Sequence, residues 1–204
     1  MKQRLELLNR QAFEEALGHL PDATPVSVAF LDLDHFKEIN DDYGMEAGDE
    51  VLRSLESVLT GSLPDGALVG RLGGDEYAAA LPETPPESAL ILLEEVRQHF
   101  SARQPGPNVP RKVQISVGIA ARPPHANQAS DLMRAAADAL YRAKHEGKGR
   151  VAIYVESKMT LKSNYYSKAS LERLSKLSSA LSRTEASLLR EALDDLLVKY
   201  ADAL

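Results

Sequence analysis

The first 155 residues mix short apolar runs with longer stretches whose apolar residues recur at helical spacing. Residues 25–32 form an apolar run that predicts a buried strand. The predicted helices span 47–59, 87–102 and 131–145, and the further predicted strands span 67–72, 77–81, 113–120 and 151–155. After an N-terminal helix, this βαββαβ order predicts an α+β fold in which helices cover the faces of one sheet.

The pattern changes after Val155. Five residues, 156–160, lead into a possible strand over 161–166. Ser167 can cap a first helix, and Thr184 can cap a second helix whose apolar face is unusually wide. A unit this small cannot bury such a face alone, so it needs either the main domain or a second copy as its partner. We therefore divide the chain into two domains, 1–155 and 156–204.

Charge and composition exclude several classes of protein. The 204 residues carry a formal net charge of −6 and a pI of about 5.4, so the whole chain is not a basic nucleic-acid binder. The absence of cysteine excludes disulfides, a thiolate nucleophile and cysteine-ligated zinc or iron–sulfur sites. No apolar run exceeds five residues, so we expect no membrane span, no signal peptide and a cytoplasmic protein.

Two acidic clusters lie where predicted strands end. Asp32 closes the run 25–32, and Gly73-Gly74-Asp75-Glu76 joins the next two strands as a predicted hairpin. Carboxylates at strand ends often bind a hard cation such as Mg²⁺, and paired glycines let a ligand approach the backbone closely. An ordinary acidic turn would explain the hairpin alone. The two clusters together favour metal-assisted phosphoryl transfer.

Two lysines extend this candidate site. Lys144 and Lys148 lie four residues apart at the end of the helix 131–145, where their charge can neutralise phosphates. Capping of the helix C-terminus is a plainer explanation for each lysine taken alone, and both explanations stay open at this point.

These residues belong to a longer set of motifs that resembles the GGDEF domain, the family of diguanylate cyclases. The motifs keep the family's order and spacing over residues 1 to about 154. They are Asp32-Leu-Asp-His-Phe-Lys-Glu-Ile-Asn-Asp41, Gly44-Met-Glu-Ala-Gly-Asp49, Arg71-Leu-Gly-Gly-Asp-Glu-Tyr77, Ile115-Ser-Val-Gly-Ile-Ala120 and Ala137-Asp-Ala-Leu-Tyr-Arg-Ala-Lys144. The resemblance implies a central antiparallel sheet flanked by helices. It also implies synthesis of cyclic di-GMP from two GTP, with release of pyrophosphate.

The resemblance further implies roles for individual residues. Asp32, the Leu33 carbonyl and Asp75 would hold Mg²⁺ or Mn²⁺. Asp75, with Glu76 beside it, would accept the proton of the attacking 3′-hydroxyl. Lys37 would be the third catalytic residue and would stabilise charge on the phosphates in the transition state. The residues that would bind GTP are Lys144 and Lys148 at the β- and γ-phosphates, Asn40 and Asp49 at the guanine, and Phe36, Gly73 and Gly74 around them. A carboxylate at position 49 accepts two hydrogen bonds from the guanine edge, a pattern that adenine lacks, so GTP is favoured over ATP.

Several positions depart from the family pattern. They are the opening segment 2–10, where only Leu7, Asn9 and Arg10 survive, Met45 in place of His, Tyr77 in place of Phe, and Lys148-Gly149 in place of Arg-Asn. Pro64 and Ala67 stand where the family's product-inhibition site has its charges, so we expect no inhibition through that site. None of these changes removes a metal or guanine ligand, and we therefore expect an active cyclase.

The C-terminal domain resembles a ribbon-helix-helix unit, in which two chains pair their strands into a ribbon that enters the major groove. The resemblance rests on Leu161–Ser167, Leu171–Leu174 and Thr184–Leu193. It implies a homodimer that binds double-stranded DNA through Lys162, Asn164, Tyr166 and the backbone amides near Thr184. The net charges, +4 over 160–183 and −3 over 184–204, favour this interpretation. A helical dimerisation tail or a solvated face would also explain them.

The expected function is therefore a diguanylate cyclase that its C-terminal domain dimerises and docks on DNA. As one alternative, a catalytically weak GGDEF domain would sense GTP or cyclic di-GMP for a DNA-binding regulator. As another, the tail would dimerise a plain cyclase without binding DNA. The sequence starts at Met1, so we expect no upstream sensor and assign dimerisation to the tail.

Overall fold

The structure is a computed structural model that describes residues 5–21, 23–103, 106, 109, 112–126, 128–155, 166–181 and eight positions between 185 and 200. The chain divides into two compact units, Met1–Glu156 and Ser157–Leu204. This division falls one residue beyond the boundary that the sequence predicts.

The described part of the first unit contains six strands and five helices. The strands are β1 (Leu7–Asn9), β2 (Val26–Leu33), β3 (Leu68–Arg71), β4 (Glu76–Pro82), β5 (Ile115–Arg122) and β6 (Val151–Ile153). The helices are α1 (Arg10–Gly18), α2 (Phe36–Tyr43), α3 (Met45–Ser62), α4 (Pro86–Ala102) and α5 (Ala129–His145). Each predicted element is found, with its ends displaced by at most three residues, whereas β1 and α2 are additions. Among the described helices, none has both the length and the apolar composition that crossing a bilayer requires.

One sheet contains all six strands, in the order β1-β3-β4-β2-β5-β6. The four inner strands are antiparallel to their neighbours. At the edges, β1 runs parallel to β3 and β6 runs parallel to β5, so the expectation of an antiparallel sheet is wrong there. Helices intervene between the members of each parallel pair, and such crossover connections bring a strand back in the same direction.

The central strand β2 has core on both of its faces. Ala29, Leu31 and Leu33 belong to the cluster that includes buried residues of α3 and α4. Val26 and Val28 belong to the opposite cluster, which includes buried residues of α1 and α5. Because side chains alternate along a strand, Asp32 at the end of β2 points to the α1 and α5 side of the sheet.

The second unit contains helix α6 (Lys168–Leu181). The predicted cap is present, because the Ser170 N–H donates to Ser167 Oγ at 3.1 Å. Described positions from 185 to 199 also have helical backbone, as their apolar spacing predicts. Of the predicted strand 161–166, only Tyr166 is described, and it has no regular secondary structure. The predicted cap Thr184 lies outside the described residues.

Gly118 in β5 lets α5 pack directly on the sheet. A Cβ atom at position 118 would lie 1.9 Å from the Leu140 nitrogen and 2.4 Å from the Ala136 carbonyl oxygen, which are both backbone atoms of α5. We expect Gly118→Ala to lower the free energy of unfolding by at least about 3 kcal/mol, because close-packed backbone cannot absorb the overlap. Denaturant unfolding followed by circular dichroism measures this loss.

The matched control is Gly18→Ala at the end of α1, where no atom lies within 4 Å of an added Cβ. This change should leave the free energy of unfolding unchanged or raise it by up to about 1 kcal/mol, because alanine has the higher helix propensity. Equal effects of the two substitutions would contradict the close packing at Gly118.

Candidate active site

The carboxyl end of β2 brings the two acidic clusters together. Asp32 is paired with Glu76 in the ladder between β2 and β4. The Leu33 N–H donates to the Asp75 carbonyl at 3.4 Å, and the Leu72 N–H closes the hairpin on the Glu76 carbonyl at 2.8 Å. The hairpin tip therefore lies beside the end of the central strand.

Asp32 is buried, and a lysine of α5 partly balances its charge. Lys144 Nζ lies 2.6 Å from Asp32 Oδ2. Burial raises the pKa of Asp32, the negative charges of Asp75 and Asp34 add to this rise, and Lys144 offsets it only in part. The strand end thus holds more negative charge than one lysine neutralises, which favours binding of a further cation.

Asp32, Asp75 and the Leu33 carbonyl are oxygen donors of the kind that Mg²⁺ prefers. Across the described ranges, no three His, Cys, Asp or Glu side chains are grouped so that they could hold a metal. Mg²⁺ in phosphoryl-transfer sites is usually bound by one or two carboxylates and completes its coordination with water and substrate phosphates. The donors present therefore fit Mg²⁺. The Lys144 ammonium beside Asp32 shows that this carboxylate already attracts a cation.

Arg71 and Tyr77 fix the hairpin on the side of α3. Arg71 donates to the carbonyls of Gly73 and Gly74, with a shortest distance of 2.7 Å. The Tyr77 hydroxyl donates to Glu56 Oε1 at 3.0 Å, and Arg71 forms an ion pair with the same oxygen. Burial and the neighbouring Glu56 charge raise the pKa of Tyr77, so its hydroxyl stays a donor. Tyrosine in place of phenylalanine thus ties the hairpin to α3.

A second part of the site lies between α2 and α3. Asn40 Oδ1 is buried there and has no hydrogen-bond partner among the described residues. Gly48 leaves the space for it, because a Cβ at position 48 would lie 1.9 Å from Asn40 Oδ1 and 3.4 Å from Phe36 Cζ. Asp49 follows Gly48 and is exposed. A buried acceptor without a donor is unfavourable, so Asn40 suits a ligand that donates hydrogen bonds.

The other predicted phosphate ligands are exposed lysines near the same strand end. Lys37 lies in the first turn of α2, and Lys148 follows α5. Lys148 Nζ is 3.4 Å from His35 Nε2, so the turn after β2 and the turn after α5 are neighbours.

Sequence reasoning missed the contacts that Arg10 makes with the hairpin. Arg10 Nε donates to the Leu72 carbonyl at 3.0 Å, and its guanidinium lies 3.6 Å from Glu76 Oε2. A cleft of about 320 Å³ opens beside these groups, and Asp32 and Lys144 also line it. The survival of Arg10 in a largely altered N-terminal motif was the available signal.

The predicted DNA contacts belong to the second unit. Tyr166 is 50% exposed. Lys162, Asn164 and Thr184 lie outside the described residues, and their role stays a prediction.

The chain is similar to known proteins over most of its length. A family model described as "Diguanylate cyclase, GGDEF domain" matches residues 5–150. The probable diguanylate cyclase DgcC of Escherichia coli strain K12 is 35% identical over 149 residues, which are 72% of this chain and 39% of DgcC. The diguanylate cyclase DgcM of the same strain is 40% identical over 151 residues, which are 71% of this chain and 36% of DgcM. The chain thus spans less than half the length of these curated relatives.

Solved structures share the fold of the first unit. The active GGEEF domain of a diguanylate cyclase from Vibrio cholerae matches with a TM-score of 0.69 and 30% identity, over 74% of this chain and all of that domain. The GGDEF domain of DgcB from Caulobacter crescentus, in complex with c-di-GMP, matches with a TM-score of 0.66 and 30% identity, over 74% of this chain and 92% of that domain.

Gly48→Ala tests the role of Asn40. The new methyl group would displace the Asn40 side chain, so we expect GTP binding to weaken about tenfold, as loss of one hydrogen bond predicts. Isothermal titration calorimetry with 3′-deoxy-GTP, which lacks the reacting hydroxyl, measures this affinity.

Gly61→Ala in the same helix is the control, since no atom lies within 4 Å of its added Cβ. Both substitutions gain helix propensity, by about 1 kcal/mol, so their shared effect on stability cancels in the comparison. Equal affinities of the two variants would show that Asn40 does not contact the nucleotide.

Proposed function

Because the chain belongs to the GGDEF family of diguanylate cyclases, we propose that it condenses two molecules of GTP into cyclic di-GMP and releases two pyrophosphates. One observation carries this proposal. Asp32, the Asp75 hairpin and Lys144 meet at one end of the sheet, and Asn40, whose buried Oδ1 lacks a donor among the described residues, lies in the next helix along the chain. Acids, a cation and an acceptor that calls for a donor are the parts that transfer of a nucleotidyl group needs.

The chemistry follows from this arrangement of acids and cations. In each of two steps, the 3′-oxygen of one GTP forms a bond to the α-phosphorus of the other, and the bond to pyrophosphate breaks. Asp75, with Glu76 beside it, accepts the proton of the attacking hydroxyl. Asp32, Asp75 and the Leu33 carbonyl would hold Mg²⁺ or Mn²⁺, which would supply charge neutralisation at the phosphates.

The remaining residues bind and orient the nucleotide. Lys37 stabilises charge on the phosphates, and Lys144 and Lys148 bind the β- and γ-phosphates. Asn40 and Asp49 accept hydrogen bonds from the guanine edge beside Phe36. Gly73 and Gly74 let the phosphates approach the hairpin backbone.

Two such domains must face each other, because each holds one GTP, and the second unit is suited to bring them together. Leu189, Leu193, Leu196 and Tyr200 are between 38% and 55% exposed. Their spacing of four, three and four residues puts them on one face of a helix. Monomeric proteins rarely leave such a stripe uncovered, and a second copy of the chain offers an identical stripe. Homodimerisation through this unit is therefore part of the proposal.

The proposal also includes binding of the dimer to double-stranded DNA. The support is the +4 charge over 160–183 and the exposure of Tyr166. The other proposed contacts are Lys162, Asn164 and the amides near Thr184. A cytoplasmic location stays a prediction from the sequence.

Turnover is the direct test of the proposed reaction. The purified full chain with Mg²⁺ or Mn²⁺ should convert GTP, and not ATP, into cyclic di-GMP, which nucleotide chromatography detects. Asp75→Ala should abolish the product without lowering the melting temperature, because acids at a hairpin tip are not core. Asp65→Ala, which removes an exposed acid elsewhere, should keep full activity. A wild-type chain that binds GTP and forms no product would favour the nucleotide-sensor alternative.

Assembly is tested by truncation after Val155. A linker of about five residues gives an effective concentration on the order of millimolar, so losing the second unit should leave a monomer that is nearly inactive at micromolar concentration. Light scattering and initial rates measure the two quantities.

Leu193→Glu in the full chain should reproduce the effect of the truncation, since this side chain is 55% exposed and belongs to the stripe. Ile91→Glu, at a position that is 65% exposed in the first unit, is the matched control and should stay dimeric. A truncated domain as active as the full chain would remove the assembly role of the second unit.

A further inference from the structure

The turn after α5 has an unusual backbone. Gly147, Lys148 and Gly149 all have positive φ, at +121°, +61° and +56°. Lysine is disfavoured in this region, so something outside the turn must stabilise it. Among the described residues, the Lys148 N–H donates to the Ala143 carbonyl of α5 at 3.1 Å. This backbone bond alone does not fix the three positive φ angles.

A buried carboxylate supplies this stabilisation from across the sheet. Asp34 is 5% exposed, and its Oδ2 accepts the Gly149 N–H at 2.8 Å. Ser116 Oγ on β5 donates to both carboxylate oxygens, at 2.8 and 3.0 Å. The Gly149 N–H is also within 3.2 Å of Ser116 Oγ. Bonds of this kind to a charged acceptor are stronger than bonds between neutral groups.

Asp34 also belongs to the turn that follows β2. Its own N–H donates to the Gln114 carbonyl at 2.9 Å. The next residue, His35, has a φ of +62° and lies against the Lys148 ammonium. One side chain therefore connects the end of the acid-bearing strand, strand β5 and the turn that carries Lys148.

We propose that Asp34 is a positioning residue that, together with Ser116, holds Lys148 where it binds the distal phosphates of GTP. This inference rests on the proposed function, because it assigns Lys148 to the triphosphate. Asp34 itself touches no reacting atom. Removing its acceptor would leave the Gly149 N–H and the Ser116 hydroxyl without their buried partner, and the turn would lose its fixed conformation.

The test compares two ligands on the full chain. Calorimetry with 3′-deoxy-GTP measures binding that includes the distal phosphates, and GMP measures binding without them. Asp34→Asn should weaken 3′-deoxy-GTP binding about tenfold and leave GMP binding unchanged, because one of the two donors then faces an amide NH₂ group. Ser116→Ala removes one hydrogen-bond donor and keeps the Asp34 carboxylate. It should therefore also weaken 3′-deoxy-GTP binding, by a smaller factor. Asp65→Asn is the control for loss of one exposed negative charge.

Steady-state rates give a second readout. Asp34→Asn should raise the KM for GTP more than it lowers kcat. Equal weakening of 3′-deoxy-GTP and GMP would show a general structural role and overturn the inference, as would unchanged binding of both. If Asp34→Asn fails to fold, Ser116→Ala alone decides between these results. A wild-type chain that binds neither nucleotide would instead refute the proposed function.

Discussion

Two carboxylates at the end of β2, Asp32 and Asp34, are buried, and a buried charge is tolerated only when it is paired or hydrogen-bonded. Asp32 is paired with Lys144 from α5, and Asp34 accepts from Ser116 on β5 and from Gly149 after α5. These partners come from elements that also pack on the central strand. The ion pair and hydrogen bonds that stabilise the two buried acids therefore also fix the geometry of the strand end.

The elements that the sequence predicts are those that bury an apolar face. Strand β2 and helices α3, α4 and α5 have enough residues for their periodicity to be read, and their ends are misplaced by at most three residues. β1 has three residues and α2 has eight, so neither repeats its pattern long enough to stand out. The parallel edges were missed because strand direction depends on crossovers and not on alternation.

The sequence likewise predicts some parts of the candidate site and not others. Asp32 and Asp75 could be found because carboxylates at strand ends are unusual in themselves. The contacts between Gly48 and Asn40, and between Gly149 and Ser116, join residues that nothing in local spacing connects. The altered N-terminal motif is informative in hindsight, since Asn9 accepts the Ala12 N–H at 2.9 Å as the cap of α1. Asn9 and Arg10, which match the family in this motif, both make specific side-chain hydrogen bonds.

Gly149 and Gln114 are close neighbours, so the side chain at 114 affects which residues position 149 accepts. The backbone of Gly149 is left-handed, a conformation that asparagine tolerates better than most residues, and asparagine is the residue that the related family has there. A Cβ at position 149 would nevertheless lie 2.5 Å from Gln114 Oε1. The overlapping atom is the far end of a flexible side chain, so a rotation of Gln114 would make room for asparagine at 149. The size and orientation of the side chain at 114 therefore affect which residues position 149 tolerates.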